Sequence, residues 1–143
     1  GSQVSPVTRH RYDCRVRFSD VDVYGHVNNV KYFEYYQEAR LAYLTSLGRD
    51  ADEGQLGVVV AKVDVDYKRP ILFRTEPYVI DTWITRVGNS SFGLAAEIRD
   101  GDRVLSKAEA VLVTFDLGTQ QARPLSDRER ARLLAALELA ALE

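Results

Sequence analysis

Between Asp20 and Arg40 the chain concentrates groups suited to carbonyl chemistry. Asp20, Asp22, Gly25, His26, Asn28 and Asn29 run directly into the aromatic stretch Tyr32 to Tyr36. That order aims a carboxylate, a sharp turn and a helix N-terminus at one small volume. A carboxylate can act as nucleophile or base, and the unpaired N–H groups of a helix N-terminus stabilise developing negative charge. Together they suit attack on a carbonyl carbon. An aspartate near a glycine also serves simply as a turn residue that bonds its own backbone. The residue types alone leave both readings of Asp22 open. For Asp20 the turn role is the stronger reading, and Gly25 supplies positive φ or a close approach.

These residues need elements to hold them. Tyr12, Cys14, Val16 and Phe18 alternate, which predicts a first strand over 11–18. Val30, Phe33, Tyr36, Arg40, Tyr43 or Leu44, and Leu47 step at helical spacing and predict the main helix over 30–47. Asn28 or Asn29 is suited to cap its start, and Gly48 to stop it. Val59, Ala61, Val63, Val65 and Tyr67 predict a second strand with one apolar face, ended by Arg69-Pro70. A third strand is expected over 77–87. A fourth carries Phe92, Leu94, Ala96 and Ile98 on one face. Asp100-Gly101 is a hairpin signal for a type I′ turn, and a fifth strand follows over 103–116. Ser126-Asp-Arg-Glu129 reads as a capping box. It opens a short helix with Leu133, Leu134, Leu137, Ala140 and Ala141 on its apolar face. The order of strand, long helix, four strands and short helix predicts an α+β domain. In it, an antiparallel five-stranded sheet wraps around a long central helix, with a short C-terminal helix.

Composition bounds the function. The 143 residues suffice for one domain, expected to span 3–143 with Gly1-Ser2 set aside as a cloning remnant. A net charge of −2 gives no basic footprint for nucleic acid. No apolar run approaches the roughly 20 residues of a spanning helix, so no membrane insertion is expected. Cys14 is the only cysteine, which excludes an internal disulfide and fits a reducing, cytoplasmic setting. With two histidines far apart in sequence, no zinc-type ligand cluster is formed, and neither metal nor cofactor is expected.

The string Asp20-x-Asp22-x-x-Gly25, followed by Val27, Asn28, Asn29, Tyr32 and Ala39-Arg40, resembles the hotdog-fold acyl thioesterases. The likeness is to the 4-hydroxybenzoyl-CoA thioesterase group and the bacterial long-chain acyl-CoA thioesterases. It covers nearly the whole chain in length, element order and motif position. The resemblance implies an acyl-CoA thioesterase that releases a free acid and CoA. It makes Asp22 the catalytic carboxylate and the Asn29 main-chain N–H the oxyanion donor, with the N–H of Asn28 or Val30 as the alternatives. It also implies homodimers whose sheets join into one, with active sites at the interface, or pairs of such dimers forming homotetramers. Tyr32 is the foremost acyl-pocket candidate among the helix tyrosines, and Asn28 is a candidate to hold Asp22 or a water. Lys68, Arg69, Arg74 and Arg86, with Asn89-Ser90-Ser91, are candidates for the CoA phosphates.

Two departures bear on substrate. The 4-hydroxybenzoyl-CoA enzymes carry an aromatic residue where this chain has Asn29, so the acyl pocket differs. Plant acyl-ACP thioesterases share the string Asp-x-Asn-x-His-Val-Asn-Asn. Here Tyr24 replaces the first asparagine while Asp22 and His26 keep their places, which makes His26 a further catalytic candidate. An acyl-ACP thioesterase is therefore one alternative. A hotdog protein that binds acyl groups without hydrolysis is another, although the retained Asp22 argues against it. Hydratases of this fold pair a histidine with an acid near the helix, and the order found here fits thioesterases better.

Overall fold

The computed structural model describes residues 9–51, 57–116 and 118–141, so the ends of the expected 3–143 span lie outside the described residues. Five strands form one antiparallel path in the order β1-β3-β4-β5-β2: β1 His10–Cys14, β2 Val58–Tyr67, β3 Tyr78–Val87, β4 Ser91–Asp100 and β5 Arg103–Asp116. A two-residue strand, β6 Gln121–Ala122, pairs with the end of β5. Helix α1, Asn29–Ala51, lies across the inner face of the sheet, and α2, Asp127–Ala141, packs beside β3. This is the hotdog arrangement expected from the element order.

The inner face of the sheet carries Ile80, Ile84, Phe92, Leu94, Ile98, Ala108, Ala110 and Leu112, all buried. Helix α1 turns Tyr32, Tyr35, Tyr36, Ala39, Tyr43 and Leu44 toward it. Tyr32 and Tyr36 fit because small Ala96 and Ala108 lie in the same cluster. A buried phenol must find a partner. Tyr36 donates to Ser106 Oγ at 2.7 Å, and Ser106 in turn donates to the Asp66 carbonyl at 2.9 Å. The ring of Tyr36 thus contributes about 1.5–3 kcal/mol of burial without a stranded hydroxyl.

Several local expectations change. Val30 and Phe33 lie on the exposed side of α1, because the tyrosines supply the buried stripe one position away. The helix runs through Gly48 to Ala51. A helical glycine costs only about 1 kcal/mol, so Gly48 does not compel a stop. β1 ends at Cys14, and Phe18 is 79% exposed beyond it, edge-on to Phe73. In β2 the pairing with β5 skips Ala61, a bulge between Val60 and Lys62. One extra residue reverses the alternation. Val59 therefore opposes outward Val113, while Val63 and Val65 oppose buried Ala110 and Ala108. The hairpin closes at Asp100 opposite Arg103 with positive φ at Gly101 alone, so it is not type I′.

The α2 capping box forms as expected. Glu129 N–H donates to Ser126 Oγ at 3.1 Å, and Ser126 N–H donates to Glu129 Oε1 at 2.8 Å. Leu133 is buried and Leu137 half-buried, whereas Leu134 faces solvent. The side chains of Ala140 and Ala141 lie outside those described. Among the described residues no helix is long and apolar enough to cross a membrane.

Cys14 sits in the cluster under α1. Burial, reinforced by the Asp20 charge, pushes its thiol up to about 12. A thiolate is the reactive form, so Cys14 of the folded protein is expected to resist a thiol-specific reagent at pH 8. One equivalent should react in denaturant, and fast native labelling would contradict the packing.

Candidate active site

The chain leaves β1, buries Val16, makes a 3-10 turn at Phe18–Asp20 and then doubles back. Val21 bridges Val27, His26 bridges Leu72, and Val27 N–H donates to the Ile71 carbonyl at 2.8 Å. Residues 21–27 therefore form a small hairpin laid against 71–73. Its tip is built by Asp22. The Asp22 Oδ1 accepts from Tyr24 N–H at 2.9 Å and His26 N–H at 3.1 Å, and Gly25 N–H donates to the Asp22 carbonyl at 3.0 Å. Gly25 has φ +79°, and a Cβ added there would meet no atom within 4 Å. Backbone conformation rather than close approach therefore requires the glycine.

The two acidic residues have opposite surroundings. Asp20 is 0% exposed. It accepts from Tyr35 Oη at 2.7 Å and Arg17 N–H at 3.0 Å, with the Arg17 guanidinium at 3.4 Å. Burial alone would raise its carboxyl, but those donors outweigh burial and hold it below the usual carboxylate range. Burial, and then the bond to Asp20, pushes the Tyr35 hydroxyl well above its ordinary range. Asp20 is thus the hydrogen-bonded structural residue. Asp22 is exposed, and among the described residues no hydrogen bond reaches its Oδ2.

The start of α1 sorts the donor candidates. Asn28 precedes the helix, and its carbonyl accepts from Lys31 N–H at 2.9 Å. The cap is thus main-chain, and neither asparagine amide bonds another described residue. Asn28 N–H is already committed to the Asp20 carbonyl at 2.9 Å. The first residues of a helix have no intrahelical acceptor for their N–H groups, which leaves Asn29 N–H and Val30 N–H available.

Asp22, His26, Asn28, Asn29 and Tyr32 line one open cleft of about 410 Å³, together with Val27, Tyr67, Lys68, Arg69 and Pro70. The strand end of β2 brings Lys68 and Arg69 to its rim, where both N–H groups bond the Leu105 carbonyl. The sequence marks Tyr67 and Pro70 only as the close of the second strand, and the fold adds both to the cleft. Tyr67 donates to the Asn29 carbonyl at 3.2 Å, and its ring stands edge-on to Tyr32 at 4.7 Å. A tyrosine ending a strand just before Lys68-Arg69 was the available signal. Tyr32 itself is 2% exposed, forming the floor rather than a wall.

The other basic candidates lie elsewhere. Arg74 is occupied by Asp100 at 2.9 Å and by the ring of Tyr78. Asn89 is a structural link, its carbonyl accepting from Leu125 N–H at 2.9 Å. Arg86 contacts Ser91 Oγ at 3.4 Å, with Ser90 beside them, at the opposite end of the sheet. Ser91 and Ile98, the latter level with Tyr67 across Ser106, are seven residues apart on β4. At strand rise that is about 23 Å. Among the described residues, no group of His, Cys, Asp and Glu is placed to hold a metal ion.

This geometry finds its class in known proteins. Residues 16–137 match the family model of the thioesterase-like superfamily. The chain belongs to that superfamily and is a thioester hydrolase. It is 33% identical to YsmA of Bacillus subtilis strain 168 over 121 residues, 83% of this chain and 81% of that one. It is 28% identical to the long-chain acyl-CoA thioesterase FadM of Escherichia coli K12, covering 83% of this chain and 92% of FadM. Among solved structures it resembles a thioesterase from Thermus thermophilus complexed with coenzyme A and Zn. That likeness has a TM-score of 0.78 and 28% identity, covering 94% of this chain and 98% of that one.

Proposed function

We propose that this cleft hydrolyses an acyl-CoA thioester to the free acid and CoA. The observation that carries the reading is the single volume containing an exposed carboxylate with one free oxygen, a helix N-terminus with unpaired N–H groups, and two cations at the rim. FadM, named for this activity, supports the choice of CoA ester. The thioester carbonyl oxygen points at Asn29 N–H. Asp22 Oδ2 then either attacks the carbonyl carbon, giving a mixed anhydride that water opens, or deprotonates the attacking water. Either route expels the CoA thiolate. Gly25 and the bonds within the turn hold Asp22, His26 flanks the attack site, and Asn28 orients water. Tyr32 contacts the acyl group, and Lys68 and Arg69 attract the CoA phosphates.

The site is completed by a second copy in this reading. Among the described residues β2 is a free edge, with Val59 42% and Val60 44% exposed. An open edge invites strand pairing. Antiparallel pairing of two β2 edges carries the Arg86, Ser90 and Ser91 end of one copy toward the Lys68 end of the other. Those residues then serve the CoA moiety of the neighbouring site. A dimer or tetramer is expected, and a cytosolic location belongs to the same proposal through the single unpaired Cys14.

The test is a thiol-release screen over short, long, branched and aromatic acyl-CoAs, with one acyl-ACP included. Turnover of at least one CoA ester is expected. Turnover confined to the carrier-protein ester would transfer the assignment to that class, and none at all would remove it.

A further inference from the structure

We propose that Asp20 is a positioning residue: its buried carboxylate sets the distance between Asp22 and the Asn29 N–H without touching substrate. The inference rests on the thioesterase reading of the cleft and concerns the residue that reading leaves unused. Asp20 is bound to both sides of the site. Its side chain holds Tyr35 of α1 at 2.7 Å and Arg17 N–H of the incoming chain at 3.0 Å, and its carbonyl holds Asn28 N–H at 2.9 Å. Asp22 follows two residues later, and Asn29 is next to Asn28. The attacking group and the oxyanion donor therefore hang from one anchor.

The surroundings suit an anchor rather than a reactant. Asp20 has no exposed surface and does not line the cleft. Its charge is met by the Arg17 guanidinium at 3.4 Å, with Lys31 Nζ at 3.9 Å. By contrast, the bonds of Asp22 all lie within its own turn. They fix the shape of that turn but not its placement against α1. Besides Asp20, the Val21 and Val27 bridge and the contacts to 71–73 hold the turn. None of them ties it to the interior of the helix as Tyr35 does. Misplacing a reacting group by about 1 Å costs on the order of 10²-fold in rate, so loosening this tether shows in turnover before it shows in binding.

The experiment compares Asp20→Ala, which removes the oxygen that accepts from both Tyr35 Oη and Arg17 N–H, Tyr35→Phe and the double variant. Readouts are kcat and KM on an acyl-CoA that the wild type hydrolyses, CoA affinity by calorimetry, and folded fraction by near-UV circular dichroism. Each single variant is expected to lose about 10- to 100-fold in kcat with KM and CoA affinity within about twofold. The double variant should be no worse than the weaker single, because the two residues act as one tether. Unchanged kcat in folded variants overturns the proposal, and so does a rise in KM alone. Loss of activity only in proportion to lost folded protein assigns Asp20 to stability and also overturns it. Wild-type protein inactive on every thioester overturns the catalytic reading itself, and the positioning role with it.

Discussion

Asp22→Asn is expected to abolish thioester hydrolysis, a loss of about 10³-fold or more, while the melting temperature stays within a few degrees of wild type. The magnitude follows from removing a nucleophile or general base, which contributes typically 10²–10⁴-fold. Asparagine is the sharper substitution here. The Asp22 Oδ1 organises the turn by accepting from Tyr24 and His26 N–H, and an amide oxygen can accept the same two bonds. What asparagine lacks is a second carboxylate oxygen able to attack or take a proton. Asp22→Ala loses the turn bonds as well, about 0.5–1.5 kcal/mol each, and is expected to be equally inactive but somewhat less stable. If Asp22 were only a turn residue, the asparagine variant would retain activity and the alanine variant would lose it through misfolding. Thiol release and a thermal melt on both variants separate the two outcomes.

Asn29→Pro should lower kcat by about 10²–10³-fold, the usual cost of one lost oxyanion donor, without unfolding the helix. Asn29 opens α1, and proline is well tolerated at the first helical position because that N–H has no intrahelical partner. The substitution removes the N–H proposed to hold the oxyanion and leaves the Asn29 carbonyl for Tyr67. Asn29→Ala is the control. It keeps the main-chain donor while removing the side chain, and it should retain activity within a few-fold. Equal activity of the proline and alanine variants would move the donor away from Asn29 N–H. Equal inactivation of both would point to the side chain instead.

Much of the candidate site was legible because its parts are close in sequence. Asp22, Gly25, His26, Asn28, Asn29 and Tyr32 fall within eleven positions, and local turn and helix geometry alone brings such neighbours together. The capping box at Ser126 and Glu129 and the strand patterns were readable for the same reason. Misreadings arose where packing decided between equal local options. Val30, Phe33 and the tyrosines give overlapping apolar stripes on α1, and only the sheet selects the tyrosine stripe. The bulge at Ala61 reverses a regular alternation without any local breaker. Arg74 looked available, yet Asp100 and Tyr78 occupy it from distant positions.

The chain by itself determined the element order, the hotdog class and the composition of the turn that carries Asp22, since periodicity, capping and turn chemistry act over a few residues. Only the tertiary structure decided which acid is buried and which is free, and that Asn28 N–H is consumed while Asn29 N–H is not. It also decided that Lys68 and Arg69 line the same cleft as Asp22 while Arg86 and Ser91 stand about 23 Å along the sheet. The physical reason is that exposure and hydrogen-bond occupancy belong to contacts between segments. Tyr35, fifteen residues from Asp20, turns one of two similar aspartates into an anchor and leaves the other with an open oxygen.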